Sequence, residues 1–384
     1  MITRNTNSSN APGDEPLAQT NAPAEEVEKQ KSALQQQEEP EITRDQLSIR
    51  KRLLNWRTIV PLVIVIVALV YFAKQAHINP QQTWAAIRAA NIWFVLASFA
   101  IYYLSFPLRT LRWRMLLENA GYTKSKGMQL PKFPKLLEIL YISWFANAIV
   151  PAKLGDLYRA YLLHKEAGLP TSRTLGTILA ERLLDLLVLL LLFIPAIIIS
   201  LHGNLPHQLE TGLAVTLILV IAGAIGLFVL RAFPAQIARL VPARFRAYYT
   251  NFQEGALGSF RRVPTLIILT VGVWACESLR FFFVAMAFSL IGGNALHIGT
   301  AALFIALGEA LLTVVPFTGG GLGLVEGGML AMIALFTANT NLAAAAILTD
   351  RTISLFSILF FGFIVFMFAF GRDMRKATLQ QKTP

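Results

Sequence analysis

Glu181, Arg182 and Asp185 stand inside a long apolar run of this chain, as do Glu277 with Arg280 and Asp350 with Arg351. A charged side chain near the centre of a membrane helix costs about 2.5–3.5 kcal/mol on insertion scales. Several together imply that they pair with one another or line a polar path. Glu181 and Asp185 are four apart and share a helical face, with Arg182 beside them. Glu277 and Arg280, three apart, share another. Two readings stay open and are compatible for different members of the set: interhelical ion pairs that fix packing, and a headgroup site within the membrane.

Two further stretches would position these groups. Asn147-Ala-Ile-Val-Pro151-Ala-Lys-Leu-Gly155-Asp156 is echoed about 165 residues later by Leu312-Thr-Val-Val-Pro316-Phe-Thr-Gly319-Gly320-Gly321. In each, an apolar helix runs into Val-Pro, breaks at glycine, and is followed by an acid–Arg pair in a new apolar helix. A duplicated broken helix with buried charge is a mark of membrane transporters. Gly155, Gly319, Gly320 and Gly323 would turn the backbone and offer N–H donors, and a helix starting near Leu322 would present its positive end to a phosphate. Tight packing through small residues is the alternative. Glu309 and Glu326 flank the second break, protonated or paired. Asn147, Asp156 and Arg159 hold the matching place in the first, where Asp156 either caps the following helix or meets substrate. Arg109, Arg112 and Arg114 with Trp113 read as an interfacial anchor, phosphate binding being the alternative.

The whole chain sets the class. Of 384 residues 55% are hydrophobic and 15% charged, and the mean hydropathy is +0.55. Apolar runs approach or exceed the roughly 20 residues that cross a bilayer. The fold class is an all-α polytopic membrane protein. The lone Cys276 allows no intramolecular disulfide and no Cys-based zinc site. The five histidines show no metal spacing, and no nucleophile elbow or other catalytic motif occurs. No cofactor or metal is expected. The net charge of +12 belongs to basic loops; the positive-inside bias accounts for it better than nucleic-acid binding does.

Hydropathy predicts full spans at about 58–73, 91–108, 174–200, 211–230, 264–291 and 341–370, with broken-helix hairpins at 136–167 and 298–337. This gives about six full spans plus two re-entrant hairpins. Residues 1–43 form a polar tail expected to be disordered, 44–372 the transmembrane domain, and 373–384 a short second tail. With both termini in the cytoplasm, 26 Lys and Arg from Arg44 onward lie inside and only Lys74 and Arg88 outside. The two hairpins would then open from opposite sides of a plasma membrane, as an inverted internal repeat.

The combination Leu111-Arg112-Trp113-Arg114-Met115-Leu116-Leu117, Pro151-x-x-x-Gly155-Asp156-x-x-Arg159, Glu181-Arg182-x-x-Asp185, Pro316-x-x-Gly319-Gly320-x-Gly-x-x-Glu326 and Asp350-Arg351 resembles the lysylphosphatidylglycerol synthase transmembrane-region family, also called flippase-like domain proteins. The resemblance spans about 55–372. It implies lipid handling, with an anionic or lipid-linked headgroup as partner, and leaves the lipid and the oligomeric state open. Arg182 and Arg351 would contact phosphate or sugar phosphate. Glu181, Asp185 and Asp350 would orient them or carry coupling protons, and Arg280 with Glu277 would gate the path. The expected function is a lipid flippase. A membrane enzyme acting on lipid-linked substrate, or a non-catalytic partner of an envelope-synthesis enzyme, are the alternatives.

Overall fold

The structure, a computed structural model, describes residue 74 and residues 78–123, 128–150, 153–201, 207–314 and 321–380. The expected first span at 58–73, the N-terminal tail, Gly319 and Gly320 lie outside the described residues. Every regular element among the described residues is a helix.

In chain order these are α1 (Pro80–Ala89), α2 (Ile92–Asn119), α3 (Phe133–Ile149), α4 (Leu154–Ala167), α5 (Thr171–Leu201), α6 (His207–Ala232), α7 (Pro234–Leu240), α8 (Arg246–Gly258), α9 (Val263–Ala287), α10 (Ala295–Val314), α11 (Leu324–Ile333), α12 (Thr340–Arg351) and α13 (Ser357–Gln380). A π-helical turn, Thr352–Phe356, joins α12 to α13. Five helical stretches are long and apolar enough to cross a membrane, at 92–119, 171–201, 263–287, 295–313 and 340–372. A sixth is reached if α6 and α7, bent by 94° at their junction, count as one. Large side chains such as Leu191, Ile198, Phe360 and Phe368 face outward, while the charged groups lie within. That is the arrangement a lipid solvent requires.

Two expectations change. The helix expected at 91–108 runs on to Asn119 and carries Arg109 and Arg112 inside it. Both are buried, Arg112 completely, so they are not an interfacial anchor; Arg114 alone of the three is well exposed. They also leave the tally of cytoplasmic loop charges. The first arm of the second hairpin, α10, is long enough to cross by itself. The following α11 has 10 residues and spans only about 15 Å.

Each break has a local cause. Between α3 and α4 the chain turns through Lys153, in the left-handed region at φ 53°, a conformation uncommon outside glycine. The two helices then meet closely at Gly155. A Cβ there would lie 2.1 Å from the Ser143 carbonyl oxygen, and the Ser143 hydroxyl donates to the Gly155 carbonyl at 2.8 Å. Before α11 the chain passes Gly321 at φ 73° and Gly323 at φ 90°. The Gly323 N–H is capped by Glu326 Oε2 at 2.6 Å.

The packing repeats itself. α2 and α9 make the most extensive contact in the molecule and run antiparallel. The Asn91 N–H donates to the Ala287 carbonyl at 3.0 Å, and at the far end Asn119 Nδ2 donates to the Ser259 carbonyl at 3.0 Å. These two bonds exchange places when 168 is added to one partner's number and subtracted from the other's. The neighbours follow suit. α1 packs on α12 as α8 packs on α5, and α3 packs on α13 as α10 packs on α5.

Candidate functional site

Two networks of buried ion pairs occupy the interior. In the first, Arg112 reaches Glu181 at 2.8 Å and also holds Asp185, with Thr270 of α9 accepting a further N–H at 3.1 Å. Arg159 of α4 takes the other Glu181 oxygen at 2.6 Å and lies over the Trp113 ring at 4.8 Å. Arg182 grips Asp156, the acid that follows the first break, with bonds of 2.8–3.1 Å, and also lies 3.7 Å from Asp185. Glu181 and Asp185 share Arg112, as their spacing allows, and Asp185 stands between Arg112 and Arg182.

In the second network Arg280 bonds Glu277 at 3.1 Å and Glu309 at 2.7 Å, and holds Asp350. Arg351 bonds Glu326, the acid that follows the second break, at 2.7 Å. It also lies 3.4 Å from Glu309. Glu326 therefore caps α11 with one oxygen and holds Arg351 with the other. The π-helical turn begins directly after Arg351; such turns inside α-helices recur at functional sites.

The central members of the two networks correspond in position. Arg112 and Arg280 are 168 apart, as are Gly155 and Gly323; Glu181 and Asp350, and Arg182 and Arg351, are 169 apart; Asp156 and Glu326 are 170 apart. In each half the acid after the break binds the arginine of the next helix. The acid just before that arginine binds the arginine of α2 or α9. Arg109 and Glu277, also 168 apart, bind each other, so this pair maps onto itself. Arg109 is stacked over Trp144 at 4.5 Å.

A cavity of about 420 Å³ lies between the networks. Its wall includes Arg109, Lys153, Arg182, Arg280 and Arg351, and the acids Asp156, Asp185, Glu277 and Glu309. Asn147 and Lys153 enter from the first break, Thr313 and Gly321 from beside the second. The Asn147 Oδ1 and Trp274 Nε1 atoms, both on residues of the wall, have no hydrogen-bond partner among the described residues. Burial, and the neighbouring Arg182 cation, lower the Lys153 ammonium to about 8. Lys153 lies in the break, outside the spanning helices.

Of the residues singled out in the sequence, Asn147, Asp156, Arg182, Asp185, Glu277, Arg280, Glu309 and Arg351 line this cavity. Glu181, Arg159, Asp350 and Glu326 do not line it; they hold the arginines and acids that do, or that stand beside them. Gly155 and Gly323 shape the breaks, and the Gly323 N–H is spent on Glu326 rather than left free for a phosphate.

Residues 58–362 match the family described as lysylphosphatidylglycerol synthase TM region. The chain belongs to this family. Among its family relatives, a UPF0104 membrane protein of Methanocaldococcus jannaschii, MJ1078, is 31% identical over 223 residues, 58% of this chain and 93% of the relative. A UPF0104 membrane protein of Methanothermobacter thermautotrophicus is 24% identical over 351 residues, 83% of this chain and 95% of that one. A protein named glycosyltransferase AglD, of Haloferax volcanii, is 24% identical over 340 residues, 78% of this chain and 52% of that protein.

Three family-domain residues at the site escaped the sequence reading of function: Arg112 and Arg109 as network members, and Lys153 as a cavity wall. A signal for the first two existed, since they stand 168 residues before Arg280 and Glu277.

Proposed function

We propose that this protein passes the polar headgroup of an anionic or lipid-linked envelope lipid through the central cavity, from one leaflet of the plasma membrane to the other, while the tails stay in the bilayer. The observation that carries the reading is one cavity walled by five cations drawn from both halves of the chain. Its volume of about 420 Å³ is that of a site for a small polar group. Guanidinium forks suit phosphate oxygens, which would replace carboxylates already held by Arg182 and Arg351.

The matched networks and the antiparallel α2 and α9 support an inverted repeat. In such an arrangement two pairings of similar energy, one open to each side, follow from the symmetry. The basic ends of α2 and α9, with Arg114, Arg261 and Arg262, would face the cytoplasm, as would both termini. The domain would extend over 44–372, and an envelope-synthesis enzyme would be its partner.

The likeness to a protein named a glycosyltransferase favours one second reading, a membrane partner in lipid-linked glycan assembly. The test is leaflet transfer in vesicles reconstituted with the purified protein and a headgroup-labelled anionic phospholipid. A membrane-impermeant quencher should reach the inner-leaflet label in protein-containing vesicles and not in protein-free ones. Equal protection of the inner leaflet in both, for phospholipid and for a polyprenyl-phosphate sugar alike, would reject transport and leave the partner reading.

A further inference from the structure

The two networks match in position but not in charge. The ion pairs of the first hold Arg112, Arg159 and Arg182 against Asp156, Glu181 and Asp185, three of each sign; the Lys153 ammonium, a further cation of the cavity wall, stands beside Asp156, Arg182 and Asp185 in this half. The second holds Arg280 and Arg351 against Glu309, Glu326 and Asp350. The self-mapping Arg109–Glu277 pair is neutral and adds nothing to either. The difference has identifiable sources. Residues 327–329, the positions matching Arg159, are Gly-Gly-Met; Tyr141 stands where Glu309 would map in the first half; and Ser354 stands 169 residues after Asp185, so the second half loses an arginine, gains one acid and loses another. Among the described residues the second network therefore carries one carboxylate more than its guanidiniums balance. Residues 315–320, Val-Pro-Phe-Thr-Gly-Gly, carry no charge.

An unbalanced carboxylate is costly to bury in a membrane interior, and neutralisation is the ordinary outcome. A second observation indicates where. Asp350 is fully buried. One of its oxygens meets Arg280, while the other has no hydrogen-bond partner among the described residues. Ser354, four residues further on in the π-helical turn, lies on the cavity wall, and its hydroxyl also has no hydrogen-bond partner among the described residues. The groups facing this site are Arg280 and Glu277 from α9, Glu309 from α10, Glu326 from α11, Arg351 from α12, and Tyr102 and Arg109 from α2. No three of the carboxylates are grouped closely enough to ligate a metal ion among the described residues.

We propose that at rest the second network holds one exchangeable proton, centred on Asp350, and that a further proton travels with the headgroup. The inference rests on the transport reading above. A phosphate entering the cavity takes guanidinium N–H groups from Glu309. The carboxylate so released takes a proton from cavity water and becomes a neutral acid. When the phosphate leaves to the other side, the arginine returns and that proton is given back to water there. One negative charge and one proton move together, so the charge of the buried interior does not change. The first network, already balanced, supplies the headgroup contacts without a proton of its own.

Infrared difference spectroscopy of the reconstituted full-length protein, stepped from mildly acidic to mildly alkaline buffer, reads the proton without needing transport. The expected result is a carbonyl band of a buried, protonated carboxyl that is present in the wild type and loses one equivalent in Asp350→Asn. Should that variant fail to fold, Glu309→Gln, which also removes the excess charge, should lose the same equivalent. Absence of any protonated carboxyl from the wild-type spectrum overturns the proposal whatever the variants do. The second arm is the vesicle transfer assay, run with and without a pH gradient and, separately, a sodium gradient. A several-fold change in rate with the pH gradient, and none with sodium, is expected. Transfer that ignores the pH gradient, or follows sodium, sinks the proton while leaving the transport reading intact. A protonated carboxyl without any lipid transfer sinks the transport reading and, with it, the coupling.

Discussion

Arg112 shows how far pairing overrides hydropathy at the scale of one residue. It is completely buried, yet its two acids and Thr270 satisfy most of its donors. Removing one partner of a buried ion pair leaves the other charged and unpaired, at a cost of about 3–5 kcal/mol. Arg112→Ala should therefore lower the thermal stability of the detergent-solubilised protein by about that amount, while Arg114→Ala, at an exposed pair, should change it by less than about 1 kcal/mol. Equal effects would remove the special place of Arg112. Lys153 makes a different claim. Burial lowers its ammonium to about 8, so it is a cation below that pH and increasingly neutral above it. Anion affinity should fall as pH rises through about 8, and Lys153→Met should flatten that dependence in a binding titration with labelled anionic lipid. An unchanged profile in Lys153→Met would assign the titration to another group.

At the scale of elements the breaks and the helices that follow them do the positioning. Gly155 lets α4 approach α3 until the backbone itself fills the contact. Gly155→Ala would force Cβ into the Ser143 carbonyl, and overpacking of this kind costs about 1–3 kcal/mol; the melting temperature should drop, with Asp156 and Arg182 displaced together. Much of this was legible in sequence. Val-Pro followed by glycine marked both breaks, and spacing placed Glu181 with Asp185 and Glu277 with Arg280. What stayed hidden was the length of α2. Three arginines within six residues resemble a loop to any local measure, and only their distant partners, Glu181 and Asp185 for Arg112 and Glu277 for Arg109, allow a buried helix there. Arg159 was hidden in part for the same reason. Its helix looks amphipathic and interfacial until Glu181 and Trp113 enclose it.

At the scale of the molecule, the antiparallel α2 and α9 place Trp93 at one end of the bundle and Arg261 at the other, both exposed. Cys276 is the only native thiol. In a Cys276→Ser background, Trp93→Cys should react with an impermeant thiol reagent in intact cells, and Arg261→Cys only after permeabilisation. The reverse pattern would invert the orientation, and labelling of both from one side would contradict the antiparallel pair. The helical membrane class was legible from composition alone. The correspondence of the two halves was visible only around the breaks, because the matched pairs differ in residue type: Asp156 answers Glu326, Glu181 answers Asp350, and Arg109 answers Glu277. Charge position persists where identity does not, and position becomes evident only when the partners are seen.

The central claim is that both halves of the chain serve one headgroup path. The most direct measurement is leaflet transfer of headgroup-labelled lipid by vesicles carrying Arg182→Gln or Arg351→Gln, each first shown to be folded by its melting transition. The account predicts that either substitution abolishes transfer, because each removes the arginine that meets the headgroup in its own half. Wild-type transfer rates from either folded variant would contradict it.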